Sequence, residues 1–300
     1  MSLSAFTLIV ISALLHSSWN LVAKKNHMSI AFYTLICTTC TLIWSHVLFW
    51  TPVPIRVLPA QFWILLALSI LSDLVYCTGL SLTYRYMEMS TAYPVMRALP
   101  ILLTLMVTAL LGWGEPLSPI AICGCVVLFV GCLLMPLKKF SDFKLKNYMT
   151  LTMFCVFLAA CGTTGYTVFD KQAQAVMSEV VGDYAKPLRS LTFYIVRSCS
   201  LTSSLWLLVL LVSPLRRDMF QLIRSRNWQP CICGLCASGT YVLVLIAMNY
   251  VTNATYVQCF RQLGLPFGLV AGIVFLKESC TLTKIIGVAL ILAGLTLTVL

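Results

Sequence analysis

The sequence predicts an all-α polytopic membrane protein, with ten transmembrane helices built as two inverted five-helix repeats. Three observations predict it. Hydrophobic residues make up 60% of the chain and charged residues 10%, against about 25% charged in a soluble domain. Apolar runs of about 20 residues recur along the whole chain, each long enough to cross about 30 Å of hydrocarbon. A spaced set of charged, aromatic and glycine residues also occurs twice, in the same order.

Taken in order, the spans read 3–22, 30–50, 62–83, 89–112, 118–137, 148–168, 190–212, 229–250, 253–275 and 282–300. The polar intervals between them are too short for a soluble domain. The opening "MSLS" has no basic n-region, and no small-residue cleavage site follows, so the first run reads as a span and not as a cleaved leader. That span ends in "HSSWNLVAKK" (16–25), whose donors need water, a protein partner or a ligand at membrane depth. Spans eight and nine are almost contiguous, as in a tight helical hairpin. Residues 1–137 form the first half, 138–147 a basic linker and 148–300 the second half.

The 14 cysteines lie mostly inside apolar runs, where a thiol behaves as a small hydrophobe. The cluster "CICGLC" (231–236) has no matching Cys/His pair at zinc spacing, so no metal and no cofactor is expected. The net charge of +11 does not indicate nucleic acid. Most of the Lys and Arg sit in connections or at span ends, among them "KKFSDFKLK" (138–146), Arg216, Arg217, Arg224 and Arg226. That placement suits loops on an anionic cytoplasmic leaflet. Loop parity puts both termini outside the cytoplasm.

The repeat is read from three matches. Glu115, Gly124 and Gly131 are spaced as Glu278, Gly287 and Gly294 are. "YPVMRALP" (93–100) corresponds to "VQCFRQLG" (257–264), setting Arg97 over Arg261. "SSWNLVAK" (17–24) corresponds to "TGYTVFDK" (164–171), setting Trp19 over Tyr166 and Lys24 over Lys171. A five-span unit starts its second copy from the opposite side of the membrane. Such inverted repeats are common in secondary transporters, with substrate near the midplane.

An Ala-rich first span ending in aromatic-x4-Lys, a fourth ending in Gly-x-Glu and a fifth with this glycine spacing resemble the EamA family of the drug/metabolite transporter superfamily. "LLHSSWNLVAKK" and "YRYMEMSTAYPVMRALPILL" are similar to its branch with a His-x-x-Trp-Asn-x-x-x-Lys start. The resemblance covers nearly the whole chain. It implies a transporter of that fold in a bacterial inner membrane, with termini in the cytoplasm. It leaves the substrate open, since the superfamily moves amino acids, sugars, nucleotide sugars, phosphorylated metabolites and drugs.

A charge in mid-span costs about 2.5–3.5 kcal/mol on insertion scales, so Asp73, Arg97, Arg197 and Arg261 each need a reason. Helical spacing gathers polar faces that one central cavity would satisfy: His16, Trp19 and Asn20; Asp73 and Tyr76; Tyr93 and Arg97; Tyr166 and Asp170; Tyr194 and Arg197; Gln258, Arg261 and Gln262. Lys24, Asp170 and Lys171 are expected at its rim. Gly264, Gly268 and Gly272 form a ladder for close helix approach, and Gly124, Gly131, Gly287 and Gly294 are expected to act similarly. Glu115 and Glu278 read as caps of the helices that follow. Pro94, Pro100 and Pro266 free backbone carbonyls.

Three guanidiniums against one carboxylate favour a small anionic or zwitterionic metabolite, such as an amino acid or an organophosphate, because arginine grips carboxylate and phosphate bidentately. Protons are a candidate coupling ion, through His16 or Asp73. A monomer suffices for such a transporter, with a weak homodimer as the other option. The rival reading is a proton-coupled exporter of cationic drugs, though the small multidrug exporters use an acidic residue in the first span, which this chain lacks. An intramembrane enzyme would need a paired nucleophile and base, and adjacent His16 and Ser17 do not face each other on a helix. A non-transporting scaffold is the last alternative.

Overall fold

The computed structural model describes residues 3–23, 29–86, 89–137, 139–142, 151–276 and 280–300. The described residues are almost entirely helical and contain no strand. In chain order the helices are α1 (Leu3–Ala23), α2 (Ile30–Trp44), α3 (Val47–Trp50), α4 (Ala60–Tyr86), α5 (Met89–Leu111), α6 (Pro119–Leu134), α7 (Leu151–Val180), α8 (Lys186–Leu211), α9 (Ser213–Arg224), α10 (Gln229–Met248), α11 (Ala254–Phe260), α12 (Gly264–Leu276) and α13 (Leu282–Leu297). Among the described residues, five stretches are long and apolar enough to cross a membrane: Ile30–Trp50, Ala60–Thr83, Met153–Val180, Lys186–Leu211 and Gln229–Met248. Shorter apolar helices run along Phe6–His16, Val95–Leu111, Pro119–Leu134 and Leu282–Leu297.

Local chemistry sets several helix starts. Ser29 caps α2 by accepting from Phe32 N at 3.2 Å, and Ser118 caps α6 by accepting from Ala121 N at 3.1 Å, with Pro119 following. Ser118, and not Glu115, is therefore the cap of α6: it sits at the boundary and its short side chain reaches the free N–H groups. The Glu115 carbonyl accepts instead from Asn253 Nδ2 at 3.0 Å. Glu278 lies outside the described residues.

Three elements depart from the sequence reading. The sixth span does not stop near 168, because α7 continues to Val180. The ninth span is helical throughout but not uniform: α11 tightens into a 3-10 turn at Arg261–Leu263 before α12 begins. Pro266 explains the change of pitch, since it has no N–H to donate and its ring crowds the Gln262 carbonyl four residues back. The connection after α8 forms a further amphipathic helix, α9, where the sequence was read as loop.

Close backbone contact joins the most intimate helix pairs. A methyl group built on Gly162 of α7 would lie 2.4 Å from the Tyr76 nitrogen of α4, and one on Gly79 would lie 2.6 Å from the Ala159 nitrogen. On α6 and α13, a methyl on Gly131 would come within 2.8 Å of the Gly287 oxygen, and one on Gly124 within 2.7 Å of the Gly294 oxygen. The expected ladder on α12 does not pack in this way. A methyl on Gly268 meets nothing within 4 Å, and one on Gly264 meets only a flexible Arg97 Nη2 at 3.2 Å and the Ala13 carbonyl oxygen at 3.7 Å. The surroundings of Gly272 are outside the described ones.

One end of the bundle is densely filled. Phe62, Leu65 and Leu66 of α4, Val176 and Met177 of α7, Phe193 of α8 and Leu245 and Met248 of α10 form its main cluster, closed over by Val53 and Leu58. Polar latches bind the same end: Asn249 Nδ2 donates to Gln174 Oε1 at 3.0 Å and to Ser190 Oγ at 2.8 Å.

Candidate functional site

A cavity of about 120 Å³ lies at mid-height in the bundle. Its wall takes Asp73 and Tyr76 from α4, Tyr166 from α7, Tyr194, Arg197 and Ser198 from α8, and Thr240 and Tyr241 from α10. His16 of α1, Tyr33, Cys37 and Cys40 of α2, and Arg261 also line it, with Ile36, Leu201 and Ala237 as its apolar part.

One side of this wall is a closed ionic network. Arg197 Nη2 meets Asp73 Oδ2 at 2.7 Å, and Arg197 Nε meets Asp170 Oδ2 at 2.8 Å. Each carboxylate also accepts from hydroxyls. Tyr33 donates to Asp73 Oδ1 at 3.0 Å, Ser69 to Asp170 Oδ1 at 2.5 Å, and Tyr241 to Asp170 Oδ2. Removing an ion from water costs several kcal/mol, which its partners must offset through good geometry and full hydrogen bonding. Here one guanidinium faces two carboxylates and stacks on two rings, its central carbon 4.9 Å from the Tyr241 centroid and 5.5 Å from that of Tyr166. Five tyrosines form a continuous row, edge-on except for the tilted pair Tyr241–Tyr194. Successive centroids are 6.2 Å apart from Tyr33 to Tyr76, 5.8 Å from Tyr76 to Tyr166, 6.0 Å from Tyr166 to Tyr241 and 6.4 Å from Tyr241 to Tyr194.

The other side is open in chemical terms. Arg261 stands in the 3-10 turn between α11 and α12, and only 8% of its surface is exposed. Its Nη2 reaches Tyr166 Oη at 3.5 Å, while its buried Nη1 has no partner. Its own carbonyl accepts from Arg97 Nη2 at 3.3 Å, so a second guanidinium stands beside it. Neither ion pair among the described residues involves Arg261. The centre thus holds three guanidiniums against two carboxylates, with both carboxylates committed to Arg197.

The site residues expected from sequence fall into three groups. His16, Asp73, Tyr76, Tyr166, Tyr194, Arg197 and Arg261 line the cavity, and Arg97 adjoins it through Arg261. Others stand elsewhere. Asp170 is not at a rim but fully buried at the centre. Lys171 does not face the cavity, since its Nζ donates to the Met248 and Val251 carbonyls at 2.5 and 2.8 Å, at the C-terminal end of α10. Gln258 turns away from the cavity to donate to Thr167 Oγ1 at 2.8 Å. Gln262 donates to the Gln258 carbonyl at 2.9 Å, with its own oxygen buried and unpartnered. Trp19 and Asn20 lie on α1 and Tyr93 on α5, with side chains outside the described ones, and Lys24 is itself outside them. The sequence reading missed Tyr33, Cys37 and Cys40, and Thr240 and Tyr241. The i, i+4, i+7 placement of Tyr33, Cys37 and Cys40 on α2 carries the same signal that found the other faces, whereas adjacent Thr240 and Tyr241 on α10 carry no such spacing.

No family model and no curated protein matches the sequence. Among solved structures 26 chains match. One, a crystal structure, is 17% identical with a TM-score of 0.64, over 99% of this chain and 98% of its own. At that identity the likeness shows the fold alone: this helical arrangement is shared over essentially the full length.

Proposed function

We propose that the protein is an EamA-like secondary active transporter, which moves a small anionic or zwitterionic metabolite through the central cavity by alternating access between two inverted five-helix halves. The observation that carries this reading is Arg261: a guanidinium with an unpartnered, buried nitrogen, set in a mid-helix 3-10 turn at the wall of a mid-bundle cavity. An unmatched buried donor is expensive, and an anionic ligand in the cavity would complete it. A 3-10 turn inside a helix often marks a functional hinge, and transporters of inverted-repeat design bind substrate near the midplane between their halves.

The pattern of helix neighbours supports the two halves. Exchanging α1 with α7, α2 with α8, α4 with α10, α5 with α11–α12 and α6 with α13 maps contacts onto contacts. The α4–α7 pair becomes α10–α1, α2–α10 becomes α8–α4, and α5–α7 becomes α1–α12, while α6–α13 and α2–α8 map onto themselves. The cavity's size supports a small cargo: about 150 Å³ holds benzene, so about 120 Å³ suits a compact acid or small amino acid.

The exporter of cations has one observation in its favour, the row of tyrosines beside Asp73. Against it, both Asp73 oxygens are already engaged. A thermal-shift screen of the purified full chain in detergent separates the two, using small carboxylates, amino acids, organophosphates and lipophilic cations. A ligand at 100 times its Kd stabilises by about 2.7 kcal/mol. We expect small acids or zwitterions to raise Tm in the wild type and not in Arg261→Gln, and those hits to be taken up by proteoliposomes. Stabilisation by cations alone, unchanged in Arg261→Gln, would sink the anion reading.

A further inference from the structure

Outside the cavity, α9 (Ser213–Arg224) is built unlike the other helices, lying across the ends of α2 and α8. Its inner face is apolar: Met219 is buried against Ala31 of α2 and Val209 of α8, with Leu215 and Leu222, at i−4 and i+3, packed on the same cluster. The neighbouring face leaves Phe220 and Ile223 exposed by 66% and 56%. Beside them, Arg217 and Arg224 fall seven residues apart on one stripe, both exposed and without an acidic partner among the described residues. A helix in water gains nothing from Phe220 and Ile223 at its surface, and a helix in hydrocarbon cannot carry Arg217 and Arg224 without large cost. The boundary between the two media satisfies both faces. Charge identifies what lies there. The end of the bundle carrying α9 also presents Arg85, Lys139, Arg226 and Lys284, with Asp142 and Asp218 as the described counter-charges, so the complementary surface is anionic.

We propose that α9 binds anionic phospholipid, with Phe220 and Ile223 seated at the acyl boundary and Arg217 and Arg224 paired with headgroup phosphates. Through Met219 the bound lipid holds the ends of α2 and α8, the helices that bring Tyr33 and Arg197 to the central network. This proposal stands whatever the cargo is.

The test uses the full chain in nanodiscs of phosphatidylcholine with a minority of phosphatidylglycerol, and native mass spectrometry counts the lipids retained after release. One basic side chain at an anionic surface is worth about 1 kcal/mol, or about five-fold. Arg217→Gln with Arg224→Gln should therefore retain phosphatidylglycerol about 25-fold less, while Lys186→Gln at the opposite end leaves retention unchanged. A salt titration of the wild type reads the same attraction with no variant at all, and should strip phosphatidylglycerol before phosphatidylcholine. Equal retention of the two lipids by the wild type, or a double variant as selective as the wild type, overturns the proposal.

Discussion

Arg197 and Arg261 are both buried in the middle of the bundle, 5% and 8% exposed, yet their surroundings are opposite. Arg197 has two carboxylates, two stacked rings and acceptors for its Nε and Nη2 within its reach. Arg261 has one long contact to a tyrosine hydroxyl, a neighbouring guanidinium and an unused nitrogen. On the proposed reading, the same residue type at the same depth is a strut in one place and a ligand site in the other, and the difference lies in whether the fold itself supplies the anion. Charge at mid-span marks a region of interest; only its partners separate a strut from a ligand site.

The largest effect should come from breaking the strut. Arg197→Leu would leave Asp73 and Asp170 buried without their counter-ion, and removing one partner of a buried pair costs about 3–5 kcal/mol. The variant should lose most of its folded fraction in a thermal melt or denaturant series. Adding Asp73→Asn and Asp170→Asn to it should restore much of the loss, because the uncompensated carboxylates, and not the missing contact, carry the cost. Arg261→Gln tests the other pole. It removes an incompletely matched buried charge, so its Tm should stay at or above the wild-type value while the ligand-induced shift of about 2.7 kcal/mol at saturation disappears. If Arg261→Gln instead melts as early as Arg197→Leu, the contrast between the two arginines is wrong.

Next in size is the helix contact that positions the network. Gly162→Ala places a methyl 2.4 Å from the Tyr76 backbone, and overpacking of this kind costs about 1–3 kcal/mol. Gly268→Ala meets nothing within 4 Å and replaces a poor helix former, so it should be neutral or stabilising by up to about 1 kcal/mol. Parallel melts of the two variants check both signs. Equal losses would show that the α4–α7 approach is not special.

These cases also show what the sequence makes legible. Apolar length marks the helices, and helical spacing brings Asp73 with Tyr76 and Tyr194 with Arg197 onto cavity-facing turns. It is silent on what stands opposite. Asp170-Lys171 reads as a span end because two adjacent charges interrupt the apolar run. The helix nevertheless continues, because Arg197 answers the aspartate and the carbonyls at the end of α10 answer the lysine, and both partners lie far away in sequence. Gln258 and Gln262 share a helical face with Arg261 by spacing, but their amides are taken by Thr167 Oγ1 of α7 and by the Gln258 carbonyl, partners that spacing does not reveal. The glycines divide for the same reason: the spacing of Gly264 and Gly268 matches that of a packing ladder, but no helix stands against it closely enough to need one.

The smallest effect is the most discriminating. Tyr33 donates one hydrogen bond to Asp73 Oδ1, on the oxygen that Arg197 does not use. Tyr33→Phe deletes that donor while keeping the ring against Tyr76, so a hydrogen bond to a charged acceptor is lost, worth about 1.5 kcal/mol. If Asp73 is wholly committed to the network, the variant should lose about that much stability and bind small acids as before, because Arg261 is untouched. If the freed oxygen instead lets the cavity accept a cation, lipophilic cations should begin to stabilise Tyr33→Phe where they leave the wild type unchanged. That gain would identify full saturation of the carboxylates as the feature that keeps cations out of this site.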